Sequence, residues 1–257
     1  MSDAPQISRV RHELKRRRLT VARVERRPSN MIRVVLRGDE LRGFTSPGFD
    51  DHVKVFFPAA NEGGADAPSM RDFTPRRFDQ TSGELWIDFF LHDAGPAAAW
   101  ATQATVGQTL EIGGPKGSAI IALDGIDAHV LIGDETALPA IGRRLEELPA
   151  GSRALVVIES DDRAERPALA SRGKLDVIFV PRQEQSGPPA HHIIAALRDL
   201  PFPSDRSFFW VALESHAARA IRGYLRHERG IDKRWIKAAG YWQRGTVGTH
   251  ENLSEEP

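Results

Sequence analysis

The spacing of apolar residues changes character near residue 126, and this change constrains the fold more than any other feature of the chain. Before it, apolar and polar residues alternate. Ile32, Val34 and Leu36 oppose Arg33 and Arg37. Val53, Val55 and Phe57 oppose Lys54 and Phe56. Leu85, Ile87, Phe89 and Leu91 oppose Glu84, Trp86, Asp88 and Phe90. A period of two marks strands with one face inside. Several such strands separated by Gly, Pro and Asp turns predict a small antiparallel barrel. After residue 126 the pattern becomes short apolar strands alternating with helical segments. "HVLIGD", "RALVVIES", "KLDVIFV" and "SFFWVAL" read as buried strands. "LPAIGRRLEEL" places Leu138, Ile141, Leu145 and Leu148 at helical spacing, and "HHIIAALRDL" reads the same way. "SHAARAIRGYLRHERG" predicts a helix with Ser215 as N-cap and Gly230 just past its end. "RWIKAAGYW" closes the series. Strands alternating with amphipathic helices predict an α/β domain with a parallel sheet.

The expected organisation is a basic segment over 1–18, a β domain over 19–124, an α/β domain over 127–247 and a flexible acidic tail over 248–257. The run "RVRHELKRRRLTVARVERR" suggests a nucleic-acid arm, but no aromatics interleave for base stacking. It reads instead as a solvated helix start and an edge strand, with no nucleic-acid partner expected. The tail "THENLSEEP" reads as disordered.

Formal net charge is zero, so any bound anion must be held by a local cluster rather than by the field of the whole protein. The absence of cysteine excludes disulfides, thiolate catalysis, cysteine-ligated zinc and cysteine-ligated iron–sulfur clusters. The N-terminus lacks an apolar signal core and no later segment approaches a membrane span, so a cytoplasmic protein without membrane insertion is expected.

Three stretches suggest chemistry. In "MRDFTPRRFD", strand geometry puts Arg71 and Phe73 on one face and Asp72 and Thr74 on the other. An arginine can fork onto a phosphate while a neighbouring aromatic flanks a planar ring. In "FLHDAGPAAAWA", Gly95 and Pro96 turn into a helix whose small first residues let backbone N–H groups approach a pyrophosphate, with Trp100 as core. In "LIGDETALPAI", Gly133 permits a tight strand exit. Asp134, Thr136 and the following helix start then lie where open parallel sheets bind ligands. Alone, the first also reads as surface arginines in weak salt bridges, the second as an ordinary turn and the third as a capped helix start.

Taken together and in order, "RDFTPRRFD", "FLHDAGPAAAW", "IGGPKGS", "GDETALPAI" and "GYWQRG" resemble the siderophore-interacting proteins, from about Val21 to Gly245. These are flavin-dependent ferric-siderophore reductases of the ferredoxin–NADP reductase-like superfamily. The resemblance implies a six-stranded antiparallel FAD-binding β-barrel followed by an α/β domain that admits a nicotinamide dinucleotide. It implies non-covalent FAD, with NAD(P)H or a reduced ferredoxin as donor and a ferric siderophore as acceptor, in a monomer. It places Arg71 on the FAD phosphate, and Phe73 and Thr74 at the isoalloxazine and ribityl. His92, Gly95 and Ala97 fall along the pyrophosphate and adenosine side, with Asp134, Thr136 and Ala137 at the flavin from the second domain. Lys54 and Arg244 match basic residues that meet the anionic siderophore. No protein side chain is assigned as catalytic, because the flavin carries the chemistry, and no resident metal is implied.

Three positions depart from the family pattern: Phe73 for tyrosine, Ala97 for serine, and Leu213 for a glycine near the nicotinamide, where a bulky side chain narrows the pocket. For donor choice, Glu159 is placed to bond a ribose 2′-OH, whereas Arg163, Arg166 and Arg182 are candidates for a 2′-phosphate. A general flavin or other-acceptor reductase is the alternative function.

Overall fold

The computed structural model describes residues 4–58, 69–91, 95–161, 166–182, 188–246 and 251–253. They fall into two compact units, one over Ile7–Ile120 and one drawn mainly from Ile121 onward.

The first unit contains β1 (Ile7–Arg11), β2 (Arg16–Arg27), β3 (Met31–Arg37), β4 (Val53–Phe57), β5 (Ser69–Phe73), β6 (Pro75–Asp79), β7 (Glu84–Phe90), helix α1 (Pro96–Gln103), β8 (Thr109–Gly113) and β9 (Gly117–Ile121). Seven of these strands form one antiparallel sheet in the order β5-β4-β8-β2-β3-β7-β6, and β1 pairs with β9 separately. The count is seven rather than the expected six for a local reason. Residues 69–79 pair with β4 on one side of Thr74 and with β7 on the other. Proline at position 75 has no N–H to continue the ladder, and the register shifts between Pro75 and Arg77. The two edges of the sheet are therefore joined through Thr74, which curls the sheet around one core. Val21, Ile32, Val34, Leu36, Val53, Val55, Phe57, Leu85, Ile87, Phe89 and Ile112 fill that core, and Ala101 of α1 packs against it.

The basic N-terminal segment is not a helix start, and of its two strands only β1, exposed and paired with β9 alone, is an edge. Strand β2 begins at Arg16 and lies between β8 and β3. Arg17 is buried. Its Nε donates to the Glu40 carbonyl at 3.0 Å, and its Nη1 donates to the carbonyls of Gly114 at 3.1 Å and Lys15 at 3.2 Å. A run of arginines hides this because alternate residues of one strand face opposite sides.

The second unit contains β10 (Ala128–Gly133), a 3-10 turn (Glu135–Ala137), α2 (Leu138–Glu147), β11 (Arg153–Ser160), β12 (Lys174–Pro181), α3 (His191–Asp199), β13 (Ser207–Glu214), α4 (Ser215–His227), β14 (Ile236–Trp242) and β15 (Glu251–Asn252). The sheet order is β12-β11-β10-β13-β14-β15. Strands β10 to β14 pair in parallel and β15 is antiparallel. The order reverses between β10 and β13, which makes their carboxyl ends the topological switch point. Val130, Ile132, Leu155, Val157, Val211 and Leu213 pack against Ile193 and Leu197 of α3 and Ala218, Ile221 and Leu225 of α4.

Two sequence expectations are corrected here. Glu251–Leu253 belong to the fold rather than to a flexible tail. Glu251 pairs with Gly240, Asn252 pairs with Ala239, and Leu253 is fully buried. One apolar residue among acids was too little signal. The cap of α4 is Glu214, whose Oε2 accepts from His216 N at 2.8 Å and Ala217 N at 3.0 Å. Ser215 is the first helical residue and donates instead to the Trp242 carbonyl at 3.2 Å. No helix of the described residues is long and apolar enough to cross a membrane.

Candidate functional site

In the first unit the flavin-motif strand carries two faces, as strand geometry requires. The register pairs Val55 with Arg71 and Val53 with Phe73, so both sit in the row of core residues. Arg71 is half-buried, and its Nη1 donates to the neighbouring Met70 carbonyl at 2.8 Å. It has no carboxylate partner among the described residues. Phe73 lies 4.5 Å from Phe89 and 6.1 Å from Phe57, centroid to centroid, in a cluster completed by Trp100. Phe73 and Trp100 are only partly buried. Thr74, at the bend, is buried. Beyond it Arg76 is buried, whereas Arg77 is exposed, stacked over Trp86 at 5.0 Å and 3.5 Å from Asp79.

Helix α1 is capped by Gly95 in extended conformation without a side-chain hydrogen bond, and Pro96 occupies its first turn. The first N–H to find an intrahelical acceptor is that of Ala99, at 2.9 Å from the Gly95 carbonyl. The N–H groups of Ala97 and Ala98 precede it and point out of the helix end. His92 lies outside the described residues.

On the opposite face of this strand pair, Lys54 Nζ of β4 donates to Asp72 Oδ2 of β5 at 2.7 Å, and the two residues face each other in register. Sequence alone marked Lys54 but not its partner.

In the second unit, Gly133 ends β10. A Cβ there would lie 2.5 Å from Ala137 Cβ and 2.8 Å from the Ala212 carbonyl oxygen, so the turn closes only around glycine. Asp134 follows, 1% exposed. Its Oδ1 accepts from Thr136 N at 2.9 Å and from Thr136 Oγ1 at 2.5 Å, and its Oδ2 accepts from Trp242 Nε1 at 2.7 Å. Burial pushes its pKa up to about 6 despite those hydrogen bonds. Ala137 is fully buried, and Thr136 is the only one of the three with partial exposure. Asp134 thus organises the strand exit from within. Its long-range partner Trp242 was invisible in sequence because nothing local links the two.

Glu135 is also buried. Its Oε1 accepts from Asp161 N at 3.0 Å and its Oε2 is paired with Arg182. Arg182 Nε also lies 3.5 Å from Glu159 Oε2, and Glu159 Oε1 meets His192 Nε2 at 2.5 Å. The expected donor-reading residues Glu159 and Arg182 therefore bind each other, Arg166 is exposed, and Arg163 lies outside the described residues. Leu213 does not narrow a pocket: it is fully buried in the core cluster shared with α3 and α4. Its position on the strand turns the side chain to the helix-covered face. Arg244 is exposed, its N–H reaches Glu214 Oε1 at 3.4 Å, and its side chain has no carboxylate partner among the described residues. Among those residues no three His, Asp or Glu side chains gather to hold a metal.

The first unit fits an anionic cofactor with a planar ring. It offers an arginine without a carboxylate partner, a half-buried phenylalanine two residues on and an uncapped helix N-terminus.

Comparisons with known proteins agree across both units. The siderophore-interacting FAD-binding domain matches residues 20–66 and 59–119, and the siderophore-interacting protein model matches residues 126–245. The chain is 34% identical to the NADPH-dependent ferric-chelate reductase of Escherichia coli, over 94% of this chain and 99% of that one. It is 31% identical to the ferric vibriobactin reductase ViuB of Vibrio cholerae, over 84% and 85%. The crystal structure of a siderophore utilization protein from T. fusca superimposes with a TM-score of 0.85 at 34% identity, covering 95% of this chain and 98% of that one. A ferredoxin reductase of carbazole 1,9a-dioxygenase, at 16% identity and a TM-score of 0.63 over 87% and 66%, shares the fold. With the ordered motifs, the buried strand exit and both domain matches in agreement, the chain belongs to the siderophore-interacting protein family and carries that family's FAD-binding domain.

Proposed function

We propose that this protein is an FAD-dependent ferric-siderophore reductase that draws electrons from NAD(P)H and releases iron as Fe(II). The observation that carries the reading is the agreement of both domain matches with relatives named as ferric-chelate reductases along nearly their whole length. FAD, when bound, takes an electron pair from a nicotinamide donor and passes electrons singly to ferric iron. The chain has no cysteine for an alternative iron–sulfur relay. Hard anionic oxygen ligands hold ferrous iron much less tightly than ferric iron, so reduction amounts to release.

The protein's own residues bind, orient and exclude water. Arg71 receives the FAD diphosphate, to which a guanidinium offers two parallel N–H bonds. The N–H groups at the start of α1, with Gly95 and Ala97, complete the anion site. Phe73 flanks the isoalloxazine by apolar contact alone, having no hydroxyl to donate, and Thr74 serves the ribityl side. On the second unit, Thr136 presents its side chain where Asp134 and Ala137 build the turn beneath it. Lys54 and Arg244 are the cations proposed for the siderophore.

The test is cofactor retention. Purified protein supplied with FAD and desalted keeps flavin absorbance, and a colourless protein overturns the reading. A general flavin reductase would keep the flavin too, but would show no loss with an iron chelate on Lys54→Ala or Arg244→Ala.

A further inference from the structure

We infer that Asp72 sets the charge preference of the Lys54 surface, disfavouring highly anionic ferric chelates relative to uncharged ones. This rests on the reading of Lys54 as a chelate-binding cation.

The two residues face each other directly across β4 and β5, on the side of the strands away from the core row of Val53, Val55 and Phe73. The ammonium is 2.7 Å from Asp72 Oδ2, so the pair is set by strand register rather than by a chance meeting of long side chains. Exposure is unequal: Lys54 is 42% exposed and Asp72 is 15% exposed. The lysine is thus the group a solute meets, and the carboxylate lies beneath it. Asp72 Oδ1 is buried and accepts no hydrogen bond among the described residues. Nothing else there spreads the negative charge. A ligand that draws Lys54 away strands a poorly solvated carboxylate, and one that leaves it in place meets a cation already neutralised.

The neighbouring cation on this face is matched in the same way. Arg16 donates to Glu111 Oε1 at 2.7 Å while stacking 4.2 Å over the Phe56 ring. Phe56 pairs in register with Met70, which is 50% exposed. The face therefore shows apolar surface and two cations that each have a carboxylate, with Arg18 next to Arg16 on the same side of β2 and in register with Glu111. Such a surface suits a chelate with an organic periphery and little net charge, whereas a trianionic chelate meets two fixed carboxylates of its own sign. Asp72 also lies between Arg71 and Phe73, so the residue that tunes the acceptor surface is part of the strand proposed to hold the flavin.

The experiment uses the full-length, FAD-loaded protein, with the flavin content of every variant measured first. Binding is followed by flavin fluorescence for two probes: the trianionic ferric complex of a hexadentate tris-catecholate, and an uncharged ferric trihydroxamate. Asp72→Asn is expected to bind the trianionic probe about three- to tenfold tighter than wild type at low salt. The gain shrinks as salt screens the charge, and the uncharged probe moves less than about twofold. Asp72→Thr, which keeps a good strand residue at this position, is expected to do the same. Lys54→Met weakens the trianionic probe. If both Asp72 variants bind that probe no better than wild type while Lys54→Met still weakens it, the inference is overturned and the Lys54 reading survives. If Lys54→Met changes nothing, the Lys54 reading fails and takes the inference with it.

Discussion

The indole of Trp242 donates its Nε1 hydrogen to Asp134 Oδ2 at 2.7 Å, tying the end of β14 to the exit of β10 across 108 residues. Burial raises the Asp134 pKa from 3.8 to about 6, while the Thr136 and Trp242 bonds pull it down. The folded protein therefore keeps a proton that the unfolded chain has lost between about pH 4 and pH 6. From this group alone, stability falls as pH rises through that window, by up to about 3 kcal/mol. Asp134→Asn removes that slope, which the difference between wild-type and variant urea unfolding at pH 4.5 and pH 7 reads out. Trp242→Phe deletes a bond that favours the ionised form and is expected to move the window upward.

Gly240 of β14 lies against the start of α4. A Cβ there would fall 2.2 Å from Ser215 Oγ and 3.0 Å from Ser215 Cα. The backbone contact cannot relax by a rotamer change. Gly240→Ala is expected to destabilise the second unit by about 1–3 kcal/mol, seen as a lower thermal midpoint. Unchanged stability would mean that α4 yields freely.

Arg33 and Asp88 form a bidentate pair at 2.7 and 2.8 Å, with side chains 9% and 7% exposed. The guanidinium also stacks 4.9 Å over Trp86. Removing Asp88 deletes both of these charge-assisted hydrogen bonds in a water-poor site, so Asp88→Ala is expected to cost about 3–5 kcal/mol. Denaturant unfolding checks this, and a loss under about 1 kcal/mol would show that Arg33 finds other partners or water.

Among the described residues Arg71 makes only the local bond to the Met70 carbonyl, so its replacement leaves little broken there. Arg71→Ala is expected to keep the fold and weaken FAD by about tenfold to a hundredfold, the scale of a charge-assisted hydrogen bond. Flavin titration of the apoprotein measures it. Wild-type affinity in the variant would show that another group holds the diphosphate.

What sequence made legible were features written in local periodicity. The alternation around Val34, Val55 and Ile87 marked the inward face of the β unit, and the spacing of Leu138, Ile141 and Leu145 marked α2. What it concealed were features set by distant partners. Arg17 looked like one arginine of a solvated run, yet it is buried against the carbonyls of Glu40 and Gly114. Leu213 looked like an obstruction, yet strand geometry turns it into the core. Asp134 looked like a ligand-facing carboxylate, and only the fold shows that Trp242 occupies it. Lys54 was legible as a cation, but its pairing with Asp72 depends on the register of β4 against β5, which no short motif encodes.

The most direct test of the proposed activity is anaerobic. The FAD-loaded protein is reduced with NADPH or NADH, a ferric siderophore is added with a ferrous trap, and flavin and trapped iron are followed together. The account predicts that the flavin bleaches with the nicotinamide donor, then regains its colour on adding the ferric chelate as ferrous iron appears, two irons for each reduced flavin. A flavin that stays reduced in the presence of ferric chelates, yet is reoxidised at once by free flavin, would contradict it.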